Sequence, residues 1–204
     1  NNTALGYESL KENTTGFDNT AIGSTALDAN TTGDYNVAVG AGALGDNTTG
    51  EANTSVGKDA LNQNTTGSNN TALGKAVLER NTTGGNNTAM GVSSMPMNTT
   101  GTYNTASGTS SLYQNTTGEF NTSNGAHSLN ENTTGNHNVG LGYYSLYRNT
   151  TSNYNTAIGS NALYDANRTS DSDGYNTAVG YNAGNTSTND IVNGTKNTLL
   201  GSMT

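Results

Sequence analysis

Residues 12–23 read ENTTGFDNTAIG, and this stretch decides the fold because near copies of it recur along the whole chain. QNTTGSNNTALG occupies residues 63–74, RNTTGGNNTAMG occupies 80–91, and QNTTGEFNTSNG occupies 114–125. Each copy is mostly Asn, Thr and Gly, with too few apolar side chains to bury a core of its own. A segment of this kind becomes stable only when its copies stack on one another, as they do in repeat proteins.

The repeat has a fixed length over most of the chain. With the Asn of N-T-A as position 1, the unit recurs every 17 residues from Asn2 to Asn155, and Asn176 and Asn197 follow at spacings of 21. The consensus is N-T-A-[LIV]-G-x-x-[AS]-L-x-x-N-T-T-G-x-x, and position 5 is Gly in all twelve copies. We therefore divide one elongated domain into a regular array over residues 1–154 and an irregular continuation over 155–204, and expect both to belong to a longer array.

The composition of the unit favours strands over helices. Gly and Asn recur too densely for a helix, whereas Thr, Val and Ile suit pleated strands. Gly at position 5 provides a corner where the backbone can take a positive φ. We predict an all-β fold, a β-solenoid or β-roll in which each 17-residue unit is one coil with two or three very short strands. Coils would stack about 4.8 Å apart, with Asn side chains forming ladders along the stack.

The repeat pattern indicates which rows of side chains face the coil interior. Position 9, Leu or Met in the first ten copies, is the best candidate for the core. Positions 3 and 4 are adjacent and must point to opposite faces of a strand, so one of these rows faces outward. An outward position 4 would make an exposed apolar stripe of the kind that marks an interface, interrupted only at Ser107 and Asn124. In the first six coils its members are Leu5, Ile22, Val39, Val56, Leu73 and Met90.

The small amount of apolar burial per coil predicts self-association. Ordering a coil costs conformational entropy that two large and two small buried side chains do not offset alone. Burial against further chains along the stripe would supply the difference. We predict a homo-oligomer with a parallel homotrimer as the first choice, and a self-sufficient monomeric solenoid is the alternative.

The overall charge and hydropathy exclude several partners. The 204 residues carry a formal net charge of −8, and 30% of them are hydrophobic. An acidic surface repels phosphate, so nucleic acid is not an expected partner. No apolar run approaches the roughly 20 residues that span a bilayer, so membrane insertion is not expected either. The chain has no Cys, and no disulfide reinforces its core.

The residues that usually carry catalysis do not form a recurring constellation. His127 and His137 lie at unrelated repeat positions, and the acidic residues fall mostly at variable ones. We predict neither an enzyme nor a cofactor. The segment DANRTSDSDGYN, residues 165–176, brings together Asp165, Asp171 and Asp173 as a calcium candidate, although its spacing does not match an EF-hand. The alternative is a polar bulge made by four inserted residues.

The N-T-T row allows two interpretations. It is an N-glycosylation sequon, and sugar there would coat every coil. Alternatively the Asn side chains stack inward, which explains the strict row better because a glycan every 4.8 Å or so would be crowded. The nine residues concerned are Asn13, Asn30, Asn47, Asn64, Asn81, Asn98, Asn115, Asn132 and Asn149.

Two further rows suggest surface functions. Long Thr rows at positions 2, 13 and 14 could match ice, although ice-binding strands usually carry T-x-T rather than T-T. Ice binding through these Thr rows is the alternative function. Tyr residues gather in the C-terminal half, for example Tyr103, Tyr154 and Tyr175, where they would either stack on sugars or pack against neighbouring coils.

The stretch NTAIG, at residues 19–23 and 155–159, resembles the S-V-A-I-G signature of head repeats in trimeric autotransporter adhesins. The longer NTAIGSNALYDAN at 155–167 is similar to repeat arrays of phage tail-fibre and bacterial surface proteins. The present unit is longer than that of the adhesin heads, and Thr replaces the Val of the signature except at Val37 and Val139. The resemblance implies a trimer of β-rolls. It also implies an extracellular, cell-surface or virion fibre shaft that gives rigid length and contacts cell-surface glycans.

Overall fold

The computed structural model is an all-β solenoid, described here for residues 1–166, 173–185 and 195–202. A single parallel sheet runs through it, with strands β1 to β12 side by side in sequence order. The predicted fold class is confirmed. The strands are Thr3–Leu5, Thr20–Ile22, Val37–Val39, Thr54–Val56, Thr71–Leu73, Thr88–Met90, Thr105–Ser107, Thr122–Asn124, Val139–Leu141, Thr156–Ile158, Thr177–Val179 and Thr198–Leu200.

Each coil contributes one three-residue strand to this sheet, at positions 2 to 4, so the expectation of two or three strands per coil is wrong. The physical reason lies in the backbone. Positions 7, 9 and 17 take positive φ in coil after coil, as at Thr25 (52°), Leu27 (52°) and Tyr35 (59°). A strand cannot continue through left-handed residues, and the remainder of the coil is therefore a series of turns.

The register between coils is strict. Thr20 pairs with Val37, Ala21 with Ala38, and so on along the sheet. The longer spacing near the C-terminus does not disturb it, because Ala157 still pairs with Ala178. One sheet therefore continues from the regular array into the irregular units.

Backbone hydrogen bonds join neighbouring coils well beyond the strands. Thr31 N donates to Thr48 O at 2.9 Å, Leu27 N to Ala43 O at 3.1 Å, and Gly40 N to Ile22 O at 2.8 Å. Equivalent bonds recur at the same repeat positions in successive coils. Most of the stabilising contacts of this polar chain therefore run along the solenoid axis, where buried backbone groups find their partners.

The core is narrow and formed by three rows. Position 9 is fully buried from Leu27 to Leu163, which confirms its assignment as the core row. Position 3, as at Ala21, and position 8, as at Ala26, are buried beside it. These small residues let adjacent walls of the coil approach closely around the Leu row.

Position 5 requires glycine for two reasons. Its φ lies between 115° at Gly91 and 146° at Gly6, a region that L side chains rarely adopt. In addition, a Cβ at Gly57 would lie 2.3 Å from the carbonyl oxygen of Gly74 in the next coil. The predicted glycine corner is confirmed, and the close approach of successive coils explains why the row has no exceptions.

Candidate functional site

The Asn residues of the N-T-T row form a ladder inside the solenoid. Asn47 Nδ2 donates to Asn30 Oδ1 in the preceding coil at 2.9 Å and to Gly50 O in its own coil at 3.1 Å. The same pair of bonds recurs from Asn30 to Asn132, and these side chains are fully buried. The row is therefore the inward ladder that the sequence left as one of two alternatives.

A second ladder is built by the Asn at position 1. Asn36 N donates to Asn19 Oδ1 at 2.9 Å, and Asn36 Nδ2 donates to Gly50 O at 2.8 Å. Gly50 O therefore accepts hydrogen bonds from both ladders, from Asn36 at position 1 and from Asn47 at position 12 of the same coil. This shared carbonyl ties the two walls of the coil together. Position 15 needs Gly here because a Cβ on Gly50 would lie 2.4 Å from Asn47 Oδ1.

The ladder leaves no room for sugar on the N-T-T row. An N-linked glycan is attached to Nδ2, and in Asn47 both Nδ2 hydrogens are already donated inside a closed core. Asn81 and Asn115 have the same two bonds. Only Asn13, in the first coil, is partly accessible, and its Nδ2 donates to Gly16 O at 3.0 Å. Glycosylation of the buried members, Asn30 to Asn149, is incompatible with the folded solenoid.

The position-4 row lies on the outer face of the sheet. Ile22, Val56, Leu73 and Met90 are 37%, 38%, 37% and 40% exposed, while the Ala or Ser before each is fully buried. Leu5, in the first coil, is exposed, and Val39 is half-buried. We call the full row from Leu5 to Leu200 the apolar stripe. A line of exposed apolar residues along one face, interrupted only at Ser107 and Asn124, is unusual for a protein surface.

The face that carries the apolar stripe has no charged residue. Positions 2 and 4 of the twelve strands hold Thr, Val, Leu, Ile, Met, Ser or Asn. The charges of the chain lie at other corners, such as the ion pairs of Lys58 with Asp59 at 3.3 Å and Arg148 with Asp165 at 3.0 Å. In a chain of net charge −8, this is the surface on which copies can approach with the least repulsion.

The two Thr rows of N-T-T differ in accessibility. At position 13, Thr31 Oγ1 donates to Thr48 O at 2.9 Å, and this bond recurs from Thr14 to Thr133. Position 14 is exposed in nine successive coils. Its members are Thr15, Thr32, Thr49, Thr66, Thr83, Thr100, Thr117, Thr134 and Thr151.

Aromatic residues at position 17 form a continuous stack in the C-terminal half. The rings run in the order Tyr103, Phe120, His137, Tyr154 and Tyr175. Their centroids are 5.0, 4.9, 5.0 and 4.9 Å apart, and their planes are within 5° of parallel. Each inner ring has both faces covered by its neighbours, so only edges are presented to solvent. The arrangement is the packing between coils that the sequence left open, and it covers the inner ring faces on which a sugar would stack.

A second aromatic cluster lies at another corner of the same coils. Tyr147 stacks on Tyr164 at 5.1 Å, and Arg148 lies 5.5 Å from the centre of the Tyr164 ring. Burial raises the pKa of Tyr147, and the neighbouring Asp165 raises the pKa of Arg148. A cavity of about 380 Å³ adjoins the cluster, lined by Arg148, Tyr164, Asp165, Asn161 and Asn185.

The three Asp residues considered for calcium are not shown to converge. Asp165 pairs with Arg148, and Asp173 accepts from Asn153 Nδ2 at 3.0 Å and from the Tyr175 hydroxyl at 3.4 Å. Asp171 lies outside the described residues. Within the part of the chain that the structure describes, no group of three or more His, Asp or Glu side chains is placed to hold a metal ion.

The two histidines are both parts of stacks. His137 lies between Phe120 and Tyr154, and His127 stacks on Tyr144 at 5.0 Å. From the sequence, the two residues lie at unrelated repeat positions, and these contacts were not predicted. The available signal was the aromatic series at a spacing of 17 residues, with His137 as one of its members.

Comparisons with protein-family models, curated proteins and solved structures find no match to this chain. Among residues 1–166, 173–185 and 195–202, no helix is long and apolar enough to cross a membrane.

Proposed function

We propose that this chain is the shaft of an extracellular fibre, in which copies associate side by side in parallel along the apolar stripe, as a homotrimer by first choice. The observation that supports the proposal is an uncharged row, apolar in ten of its twelve strands, along a polar, acidic solenoid. The resemblance to adhesin heads and tail-fibre arrays agrees with it. Such a shaft belongs on a cell surface, an extracellular filament or a virion.

The mechanism of a shaft is mechanical, and the axial ladders suit it. Backbone bonds such as Thr31 N to Thr48 O and side-chain bonds such as Asn47 Nδ2 to Asn30 Oδ1 point along the same axis. Bending or stretching the rod must distort many of these bonds together. The function of the repeat is then to give rigid length, while the variable corners give solubility and any contact with cell-surface glycans.

The proposal is tested by placing charge on the stripe. Val56→Glu with Leu73→Glu adds two carboxylates to the proposed interface, whose burial without a partner is unfavourable. We expect the double variant to stay folded by circular dichroism and to sediment as a monomer. The matched control is Thr66→Glu with Thr83→Glu, which adds the same charge to exposed Thr positions in the same two coils.

Electron microscopy adds a direct view of the assembly. We expect the wild-type chain and the Thr control to form rods of equal width, and the stripe variant to form thinner ones. Equal rod widths and equal masses for all three would contradict association through the stripe.

Ice binding is the second candidate, and one observation favours it, the row of exposed Thr at position 14 in nine successive coils. The hydroxyls of the adjacent position-13 row are donated to backbone carbonyls, as in Thr65 Oγ1 to Thr82 O at 3.0 Å. A single accessible row is a narrow surface for an ice lattice. Thermal hysteresis of the purified chain decides between the two functions, and the fibre proposal expects none.

A further inference from the structure

We propose that Ser107 and Asn124, which interrupt the apolar stripe, fix the direction and the register in which copies of this chain associate. The inference rests on the proposed self-association and goes beyond it by assigning alignment to two residues.

The interruption is confined to the outer face. Position 4 is apolar in every strand except β7, which ends in Ser107, and β8, which ends in Asn124. The inward residues of these strands, Ala106 and Ser123, remain fully buried, and both strands keep the common register. The solenoid itself therefore gains nothing from polar residues at these two places.

The two polar side chains have no hydrogen-bond partner of their own. Within the described residues, the side chains of Ser107 and Asn124 make no hydrogen bond, and Asn124 is exposed. The neighbouring Ser111 and Ser123, by contrast, bond to each other inside the coil at 2.6 Å. The hydroxyl of Ser107 and the amide of Asn124 are available to groups outside the chain.

Parallel, in-register association satisfies these groups. It places Ser107 opposite Ser107 and Asn124 opposite Asn124, where an amide can donate to and accept from its copy. All other strands then meet apolar on apolar. A buried Asn that pairs with its own copy specifies alignment in coiled coils for the same reason.

Other alignments lose contacts or leave polar groups without partners. A slip by one coil sets Ser107 of one copy opposite Asn124 of the other. It leaves the remaining Asn124 opposite Leu141 and the remaining Ser107 opposite Met90, and these two polar groups lose water without a replacement. An antiparallel pair can set β7 opposite β8, but each Asn124 then faces a Ser107 hydroxyl and loses the two-way amide pairing with its own copy. The in-register parallel arrangement is the one that sets each of the two polar residues opposite its own copy.

The experiment compares the wild-type stripe with Ser107→Leu/Asn124→Leu. The sequence contains no Cys, so Ser24→Cys introduces a single attachment site for a spin label beside β2. Pulsed electron resonance on the assembled chains then measures label-to-label distances. An antiparallel pair that sets β7 opposite β8 would separate the labels by about 53 Å, eleven coils at about 4.8 Å each.

We expect one short distance for the wild-type stripe. The Leu double variant is expected to associate about tenfold more tightly or better, because apolar surface replaces polar, and to show additional long distances from mixed alignments. Thr117→Leu/Thr134→Leu, which adds two Leu to exposed positions of the same coils, is the control and should keep the single short distance.

The outcomes separate the two proposals. A wild-type chain that stays monomeric overturns the self-association and this inference with it. A wild-type chain that associates with mixed distances, or a Leu variant that keeps the single short distance, overturns only the role of Ser107 and Asn124.

Discussion

The N-terminal and C-terminal halves of the solenoid share one backbone but differ in what they present at position 17. Asn86 in the first half and His137 in the second have φ of 59° and 56°. From Tyr103 to Tyr175 the position is a row of stacked rings. The three coils before Tyr103 have Ala52, Asn69 and Asn86 there, and the ring of Tyr35 nearer the N-terminus meets Phe17 edge-on rather than in a stack. The same corner therefore accepts either kind of residue.

This difference shows which parts of the repeat stabilise the fold. The Asn ladders, the Gly rows and the buried Leu row continue through both halves. The stacked rings occur in one half only. Stability should therefore come mainly from the interior and be nearly equal in the two halves, with the outer stack as a smaller local addition.

The largest expected effect comes from breaking the interior ladder in either half. Asn81→Ala removes the bonds to Asn64 Oδ1 and Gly84 O, and it leaves Asn98 Nδ2 without one of its two acceptors. Each buried group left unpaired costs about 1–3 kcal/mol, so we expect a loss of at least about 3 kcal/mol. Urea denaturation followed by circular dichroism measures it.

Asn132→Ala makes the same change in the C-terminal half and should cost the same within about 1 kcal/mol. Thr83→Ala, at an exposed position beside the first site, is the control and should change little. A much larger loss of stability from one of the two Asn→Ala changes would contradict the expectation that the interior stabilises both halves about equally.

The next effect tests the buried Leu row. Leu61→Ala and Leu129→Ala each remove a fully buried side chain and leave a cavity between stacked coils. We expect each to lower the free energy of unfolding by about 2–5 kcal/mol. Both residues have φ near 50°, which Ala52 shows that alanine can adopt in this chain. A loss below about 1 kcal/mol in both would mean that the row is not the core.

The outer stack should contribute less, and in one half only. Phe120→Ala removes two ring contacts, with Tyr103 at 5.0 Å and His137 at 4.9 Å. We expect a loss of about 1–2 kcal/mol in thermal or urea unfolding. Asn69→Ala, at the same repeat position in the other half, should change stability by less than about 0.5 kcal/mol. Equal effects at the two sites would contradict a specific role for the stack.

The smallest effect is a pH dependence in the N-terminal half. Burial, and after it the charges of Asp46 and Glu8, raise the pKa of the Asp28 carboxyl above its ordinary value of 3.8. The Asp28 carboxyl then binds its proton more tightly in the folded state than in the unfolded state. The free energy of unfolding therefore falls as the pH rises from the unfolded-state pKa through the folded-state pKa. Asp28→Asn should be slightly more stable than wild type at pH 7, and the gain should vanish at low pH. A gain that is independent of pH would have another cause.

The sequence predicted the parts of this fold that repeat without exception. The spacing of 17 residues indicated one coil per unit, position 9 indicated the core, and the invariant Gly indicated a corner. The number of strands per coil was wrong, because left-handed φ at residues such as Leu27 is stabilised by packing and interaction with neighbouring coils. No local propensity signals Leu in that conformation.

The sequence alone predicted only part of the candidate site. The alternation of Ala21 and Ile22 required that one row face outward, and the structure places the Ile row there. The direction of the Asn side chains could not be decided from the N-T-T motif alone, since the same letters suit a ladder or a sequon. The shared acceptor Gly50 O could not be foreseen, because it depends on how the two walls of a coil meet.

Sedimentation equilibrium of the folded 204-residue chain tests the central claim most directly, because it weighs the assembly without assuming its shape. The account predicts a species of about 63 kDa, three times the chain mass of 20.9 kDa, that dissociates when charge is placed on the apolar stripe. A fully folded species of 20.9 kDa that persists as the protein concentration is raised would contradict it.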